Sequence, residues 1–145
     1  MLGFESARSI SDAAAYIGRQ PDTWARGDAY SFAILVYRAD VRLGGCGFSQ
    51  INHGHRFTNV YYWVRAGHTA RGIATRAVRL LARFGCERLA LQRIEVVAPV
   101  GNTPSIRVAG KAGALREGIL RNRVILHEVV HDAVMFSLVP QDFVT

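Results

Sequence analysis

"TNVYYWVRAGHTARGIATRAVRLL", from Thr58 to Leu81, changes period partway along its length. Its first part is rich in β-formers and places large residues on both alternating faces, which suits a strand in the middle of a sheet. From Ile73 onward the spacing becomes helical. Ile73, Ala77, Leu80, Leu81 and, just beyond, Phe84 form one apolar stripe, while Arg76, Arg79 and Arg83 line the opposite face. Between the two patterns sit Ala70, Gly72 and Ala74, small residues where a buried helix would gain more from larger ones. The stretch therefore reads as strand, turn and helix.

Working outward, Ser9 to Asp12 resembles a capping box, and Ile10, Ala13, Ala14 and Ile17 follow at helical spacing until Pro21. "YSFAILVYR" (Tyr30 to Arg38) alternates as a strand, "ADVR" (Ala39 to Arg42) makes a turn, and "LGGCGFSQI" (Leu43 to Ile51) returns as its partner. "NHGHRF" is a loop or hairpin end. After the central helix, "RIEVVAPV" (Arg93 to Val100) is a fourth strand. "TPSIRVAGKAG" is a short helix with Pro104 in its first turn, a position that suits proline. Two β-rich segments close the chain, Ala114 to about Leu126 and Ala133 to Val139. No linker, repeat or low-complexity segment interrupts residues 1–145. The order predicts one α/β domain with a mixed sheet flanked by helices.

A chain of 145 residues, half of them apolar, suffices for one hydrophobic core. Its apolar runs are far below membrane-spanning length, and the first ten residues have no signal-peptide layout. Cys46 and Cys86 lack metal-type spacing and read as buried thiols of a cytoplasmic protein. The net charge of +7 comes almost wholly from scattered arginines, with Lys111 the only lysine. That excess favours anionic ligands. It forms no basic arm and no recognition-helix or zinc-finger pattern, so nucleic acid ranks last among the partners considered.

Three motifs need an answer. The small residues at the helix start would let an anion approach unpaired main-chain N–H groups at the positive end of the helix dipole. A plain helix start, with glycine to begin it and alanine to extend it, explains "ARGIA" as well, and both readings stand at this point. "GGCG" (Gly44 to Gly47) lies inside a strand with no helix following, so close packing explains it better than a phosphate loop. "HEVVH" (His127 to His131) matches a zinc-protease pattern that requires a helix. Its neighbours are β-branched and aromatic, and on a strand residues four apart lie about 13 Å from each other. No metal is expected.

With these pieces in place, the chain resembles the Gcn5-related N-acetyltransferases (GNAT), in the branch typified by the ribosomal-protein-alanine acetyltransferases of RimJ/RimL type. The family's Q/R-x-x-G-x-G/A signature is matched by Thr69-Ala70-Arg71-Gly72-Ile73-Ala74, with Thr69 in the leading position. "YYWV" is similar to the strand before the signature. "RIEVVAPVGNTPSIRVAGKAGALREGILR" is similar to the branch's strand, N-x-x-S element and following helix, and "HDAVMFSLV" to its closing strand. The chain departs from the pattern at Asn59, Ala114 and Phe136, where an acidic residue, an aromatic and a tyrosine are common. Set against that pattern, the sequence starts at what resembles the family's second helix, so the usual opening strand and helix are not expected within it.

The resemblance implies a V-shaped splay between the two central strands and acetyl-CoA as cosubstrate. It also implies direct attack by a primary amine, on a protein N-terminus or a small molecule, without an acyl-enzyme. Thr69, Ala70, Arg71, Gly72, Ile73, Ala74 and Thr75 would hold the pyrophosphate. A main-chain amide near Trp63 or Val64 would polarise the thioester carbonyl, worth about 10²–10³ in rate. Asn102 would position pantetheine and Ser105 would protonate the departing thiolate, although both residues also suit simple capping of the short helix. Glu95 is carried over as the base, with a salt-bridged structural role as its alternative. His53, His55 and His68 read either as flanking the site or as surface histidines. A catalytically degenerate CoA-binding module is the competing function, and an uncovered sheet edge would favour pairing with a second copy.

Overall fold

The computed structural model describes residues 25–27, 29–35, 42–67 and 72–143. The opening helix expected near residues 9–20 and most of the 39–42 turn lie outside them. The described elements are β1 (Tyr30–Leu35), β2 (Arg42–Asn52), β3 (Phe57–Val64), α1 (Ile73–Arg88), β4 (Arg93–Pro99), α2 (Thr103–Lys111), β5 (Leu115–Leu126) and β6 (Val129–Leu138). A short 3-10 turn, Pro140–Phe143, follows. The strands form one mixed sheet in the order β1-β2-β3-β4-β6-β5.

Only β3 and β4 run parallel; every other neighbouring pair is antiparallel. Their pairing is short. It covers Phe57↔Arg93, Thr58↔Ile94 and Asn59↔Glu95 and then stops, although β3 continues to Val64 and β4 to Pro99. Beyond that rung β3 stays with β2 up to Gly44↔Val64, while β4 stays with β6 up to Pro99↔Ala133. The sheet thus parts in the middle, as the splay predicted.

Alternation along each strand divides the side chains between two faces. Cys46, Phe48, Val60, Tyr62, Ile94, Val96, Phe136 and Leu138 turn to the helices and meet Val78, Leu81 and Ala82 of α1 and Ala109 of α2. Val97, Val124, Ala133 and Met135 form a smaller cluster apart from it. The buried stripe of α1 is rotated from the expected one. Leu80 is 69% exposed, whereas Val78, Ala82 and Gly85 are buried. The stretch from Ala77 to Ala82, apolar at every position except Arg79, supports more than one stripe, and the glycine decides between them. A Cβ on Gly85 would sit 2.8 Å from the Phe48 ring and 3.0 Å from Ile94 Cδ1, so only a bare backbone lets α1 settle this close.

The last strand begins at Val129, four residues earlier than Ala133. Leu126↔Val129 closes a two-residue hairpin on His127 and Glu128, both with positive φ. "HEVVH" is therefore a turn and the start of a strand. Among the described residues no group of three or more metal-ligating side chains gathers. No helix of the described residues is long and apolar enough to cross a membrane.

Candidate active site

Two helices begin at the same end of the parted sheet. The parallel strands β3 and β4 lead directly into α1 and α2, so both helix N-termini lie beyond the strands' C-terminal ends, where open α/β sheets place their ligands.

Gly72 caps α1 with φ 74° and ψ 8°, a conformation that glycine adopts without the cost a side chain would add. It is exposed, and a Cβ placed on it would meet nothing within 4 Å. The helical ladder starts with Arg76 N donating to Gly72 O at 3.1 Å. The amides of Ile73, Ala74 and Thr75 therefore have no intrahelical acceptor. Among the described residues no side chain caps them, and no acidic residue sits in the first turn. The expected contacts at Thr69, Ala70 and Arg71, together with His68, lie outside the described residues.

Among the described residues, the main chain of β3 beyond Asn59 is open on one side. Arg65 N donates to Leu43 O at 2.7 Å, so by alternation Tyr61 and Trp63 also turn their main-chain groups toward β2. Val60, Tyr62 and Val64 turn theirs to the side that β4 has left. The Trp63 side chain packs over Gly45, with the Arg42 guanidinium 5.4 Å from the ring centroid. "GGCG" is explained by such approaches: a Cβ on Gly44, Gly45 or Gly47 would come within 2.6 Å of Trp63 or of Tyr30 and Tyr61.

Across the opening, Asn102 Oδ1 accepts from Ser105 N at 3.2 Å, the N-cap bond of α2. Ser105 is buried and its carbonyl oxygen accepts from Tyr62 Oη at 3.4 Å. Burial pushes the Tyr62 phenol above its ordinary value, and the Ser105 hydroxyl beside it pulls the other way. Tyr62 thus reaches from β3 to the start of α2, a contact spanning 43 residues that left no local trace in the sequence.

At the last rung, Glu95 Oε1 accepts from Arg93 Nε at 2.9 Å, and its side chain is 16% exposed. The same guanidinium makes a two-point pair with Glu117, whose carboxylate also accepts from the buried Ser137 hydroxyl at 3.1 Å. Arg93 holds the Glu117 carboxyl below its usual range. Glu95 therefore stands beside the opening and in a salt bridge at once, and sequence spacing gave no sign of the Arg93–Glu117–Ser137 network. His53 and His55 are exposed in the β2–β3 turn, beyond the paired end of the fork. In that place they do not flank its open end.

This parted sheet with two helix starts at its mouth is the architecture of an acetyltransferase domain. Residues 3–115 match the family described as the acetyltransferase (GNAT) domain, and the chain belongs to it. It is 31% identical over 134 residues to an N-acetyltransferase, p20, of Bacillus licheniformis, covering 92% of this chain and 75% of that one. The microcin C7 self-immunity acetyltransferase MccE, solved with acetyl-CoA and AMP, superimposes with a TM-score of 0.80 at 26% identity, over 91% of this chain and 72% of that one. RimJ of Mycobacterium smegmatis, solved with CoA-disulfide, has the same fold with a TM-score of 0.87 at 22% identity, over 100% of this chain and 70% of that one.

Proposed function

We propose that the chain transfers the acetyl group of acetyl-CoA to a primary amine by direct attack within the fork. The observation that carries this reading is the end of β3–β4 pairing at Asn59↔Glu95, with the uncapped start of α1 open at Gly72. Acetyl-CoA supplies an activated acetyl group as a thioester. The chain's own share is binding, orientation and proton handling.

Gly72, Ile73, Ala74 and Thr75 offer main-chain donors to the pyrophosphate, continuing the set that Thr69, Ala70 and Arg71 begin. The free main-chain groups of β3 suit a pantetheine arm laid along them as an added strand. Of the two positions expected to donate to the thioester carbonyl, alternation favours Val64, since Trp63 faces β2. Ser105 is assigned as proton donor to the departing thiolate, with Asn102 fixing the turn that carries it. Glu95 is the carboxylate assigned to take the amine's proton. Its pairing with Arg93 favours a second reading, a module that binds acetyl-CoA without turning it over.

Calorimetry with acetyl-CoA, followed by detection of free CoA thiol across a panel of primary amines, tests both. We expect binding by the parent chain and at least tenfold weaker binding by Gly72→Glu, which sets a carboxylate against the pyrophosphate. Thiol release with at least one amine supports transfer. Binding without release against every amine leaves the second reading, and absence of binding rejects both.

A further inference from the structure

Arg42 and Arg65 meet at the end of the sheet where the fork is open. The Arg42 guanidinium lies 5.4 Å from the Trp63 ring centroid, and Arg65 Nη1 donates to the Arg42 carbonyl oxygen at 3.4 Å. Arg65 N donates to Leu43 O, so the β2–β3 ladder runs one residue past β3. Alternation therefore carries Trp63 and Arg65 to the face opposite Tyr62, away from the helices. Both arginines are exposed.

Among the described residues neither arginine has an acidic partner. Glu87 is taken by Arg83, and Glu95 and Glu117 are taken by Arg93. Asp132 and Asp142 accept from the main-chain amides of Asn122 and Val139. Glu128 lies on the β5–β6 turn, in the other arm of the sheet. Two like charges held on one patch repel each other, and an anion between them replaces that repulsion with attraction. Guanidinium groups suit carboxylate and phosphate in particular, which they bind through paired N–H donors.

The place of the patch narrows which anion it serves. The pyrophosphate contacts proposed above lie at the start of α1, which packs on the opposite face of the sheet. Arg65 directly follows Val64, the residue proposed to polarise the thioester carbonyl, and a strand advances about 3.3 Å per residue. A small molecule that attacks this carbonyl from the face away from the helices reaches the arginines with its far end.

We infer that the acceptor is a primary amine carrying an acidic group, a carboxylate or a phosphate, which Arg42 and Arg65 hold on the face away from the helices. This rests on the acetyl-transfer reading above. The two arginines select the acceptor and leave the bond changes of the transfer to the groups already assigned.

The test uses the full chain, acetyl-CoA and two matched pairs of amines, with thiol release as the readout. One pair is phosphoethanolamine and ethanolamine, the other β-alanine and β-alaninamide. In at least one pair the acid-bearing member should show a kcat/KM roughly tenfold higher. The acid raises the pKa of its own amine, so this preference cannot come from a larger share of free amine. Arg42→Gln and Arg65→Gln should each shrink the preference about fivefold. Both positions are exposed, and if one variant folds poorly the other carries the test. Equal rates within both pairs, or turnover only with amines that lack an acid, would overturn this inference and leave the transfer reading standing. So would a preference that survives both substitutions, or variants that raise the KM for acetyl-CoA instead, which would put the arginines on the cosubstrate's phosphates. A parent that binds acetyl-CoA but acetylates no amine removes the transfer reading, and this inference with it.

Discussion

At Gly47 an added methyl group would land 2.1 Å from the Tyr30 carbonyl oxygen and 2.5 Å from the Tyr61 hydroxyl. Neither neighbour can withdraw cheaply, since one is main chain of β1 and the other is hydrogen-bonded to Ser31. Gly47→Ala should therefore destabilise the fold by about 1–3 kcal/mol, the usual range for overpacking, read as a lower denaturant midpoint at unchanged m-value. Cys46, one position away, presents the opposite case. Burial raises its thiol to about 11, and Cys86 is raised to about 11 by burial and by Asp142 and Glu87. At pH 8 roughly a thousandth of each is thiolate, the form that reacts. A disulfide reagent should label both slowly in the folded protein and quickly in denaturant. Fast labelling of the native chain would contradict the burial assigned to Cys46.

The elements show which features local sequence could carry. The switch from period two to period 3.6 between Val64 and Ile73 located β3 and α1, because both patterns report burial directly. The proline in the first turn of α2 and the Asn102 cap located that helix in the same way. Less local features did not show through. The choice of Val78 over Leu80 as a core residue depends on Gly85 meeting Phe48 from another strand. The Tyr62–Ser105 contact and the engagement of Glu95 by Arg93 depend on which strands neighbour which. Where sequence and structure both speak, Asn102 is testable: Asn102→Ala removes the bond to Ser105 N and should cost about 0.5–2 kcal/mol. Asn102→Asp, which keeps a capping oxygen, should recover most of that stability in a thermal melt. If it recovers stability but not acetyl-CoA affinity, Asn102 has a binding role beyond the cap.

Across the whole sheet, the opening between β3 and β4 leaves the molecule with two arms that share only three rungs. Something must keep the β4–β6–β5 arm rigid up to the point of parting, and Arg93 is placed to do it. It joins Glu95 on its own strand to Glu117 on β5, and Glu117 is joined to Ser137 on β6. Glu117 is held below the usual carboxylate range, mainly by its hydrogen bond to Arg93. A depressed folded-state value fixes the sign: the stabilisation is fully present above the unfolded carboxylate pKa of about 4.3 and fades as pH falls through the lower folded value. Glu117→Gln keeps the shape and removes the charge, so it should melt below the parent at pH 7. The two melting curves should converge as the parent's carboxylate protonates in acid. Because Arg93 also holds Glu95, the same variant should alter turnover with amines more than affinity for acetyl-CoA, whose proposed contacts lie on β3, on α1 and on the residues between them. Equal acid dependence in parent and variant would show that the Arg93–Glu117 pair does not stabilise the fold, and the rigidity of that arm would then have to come from the Val97, Val124, Ala133 and Met135 cluster alone.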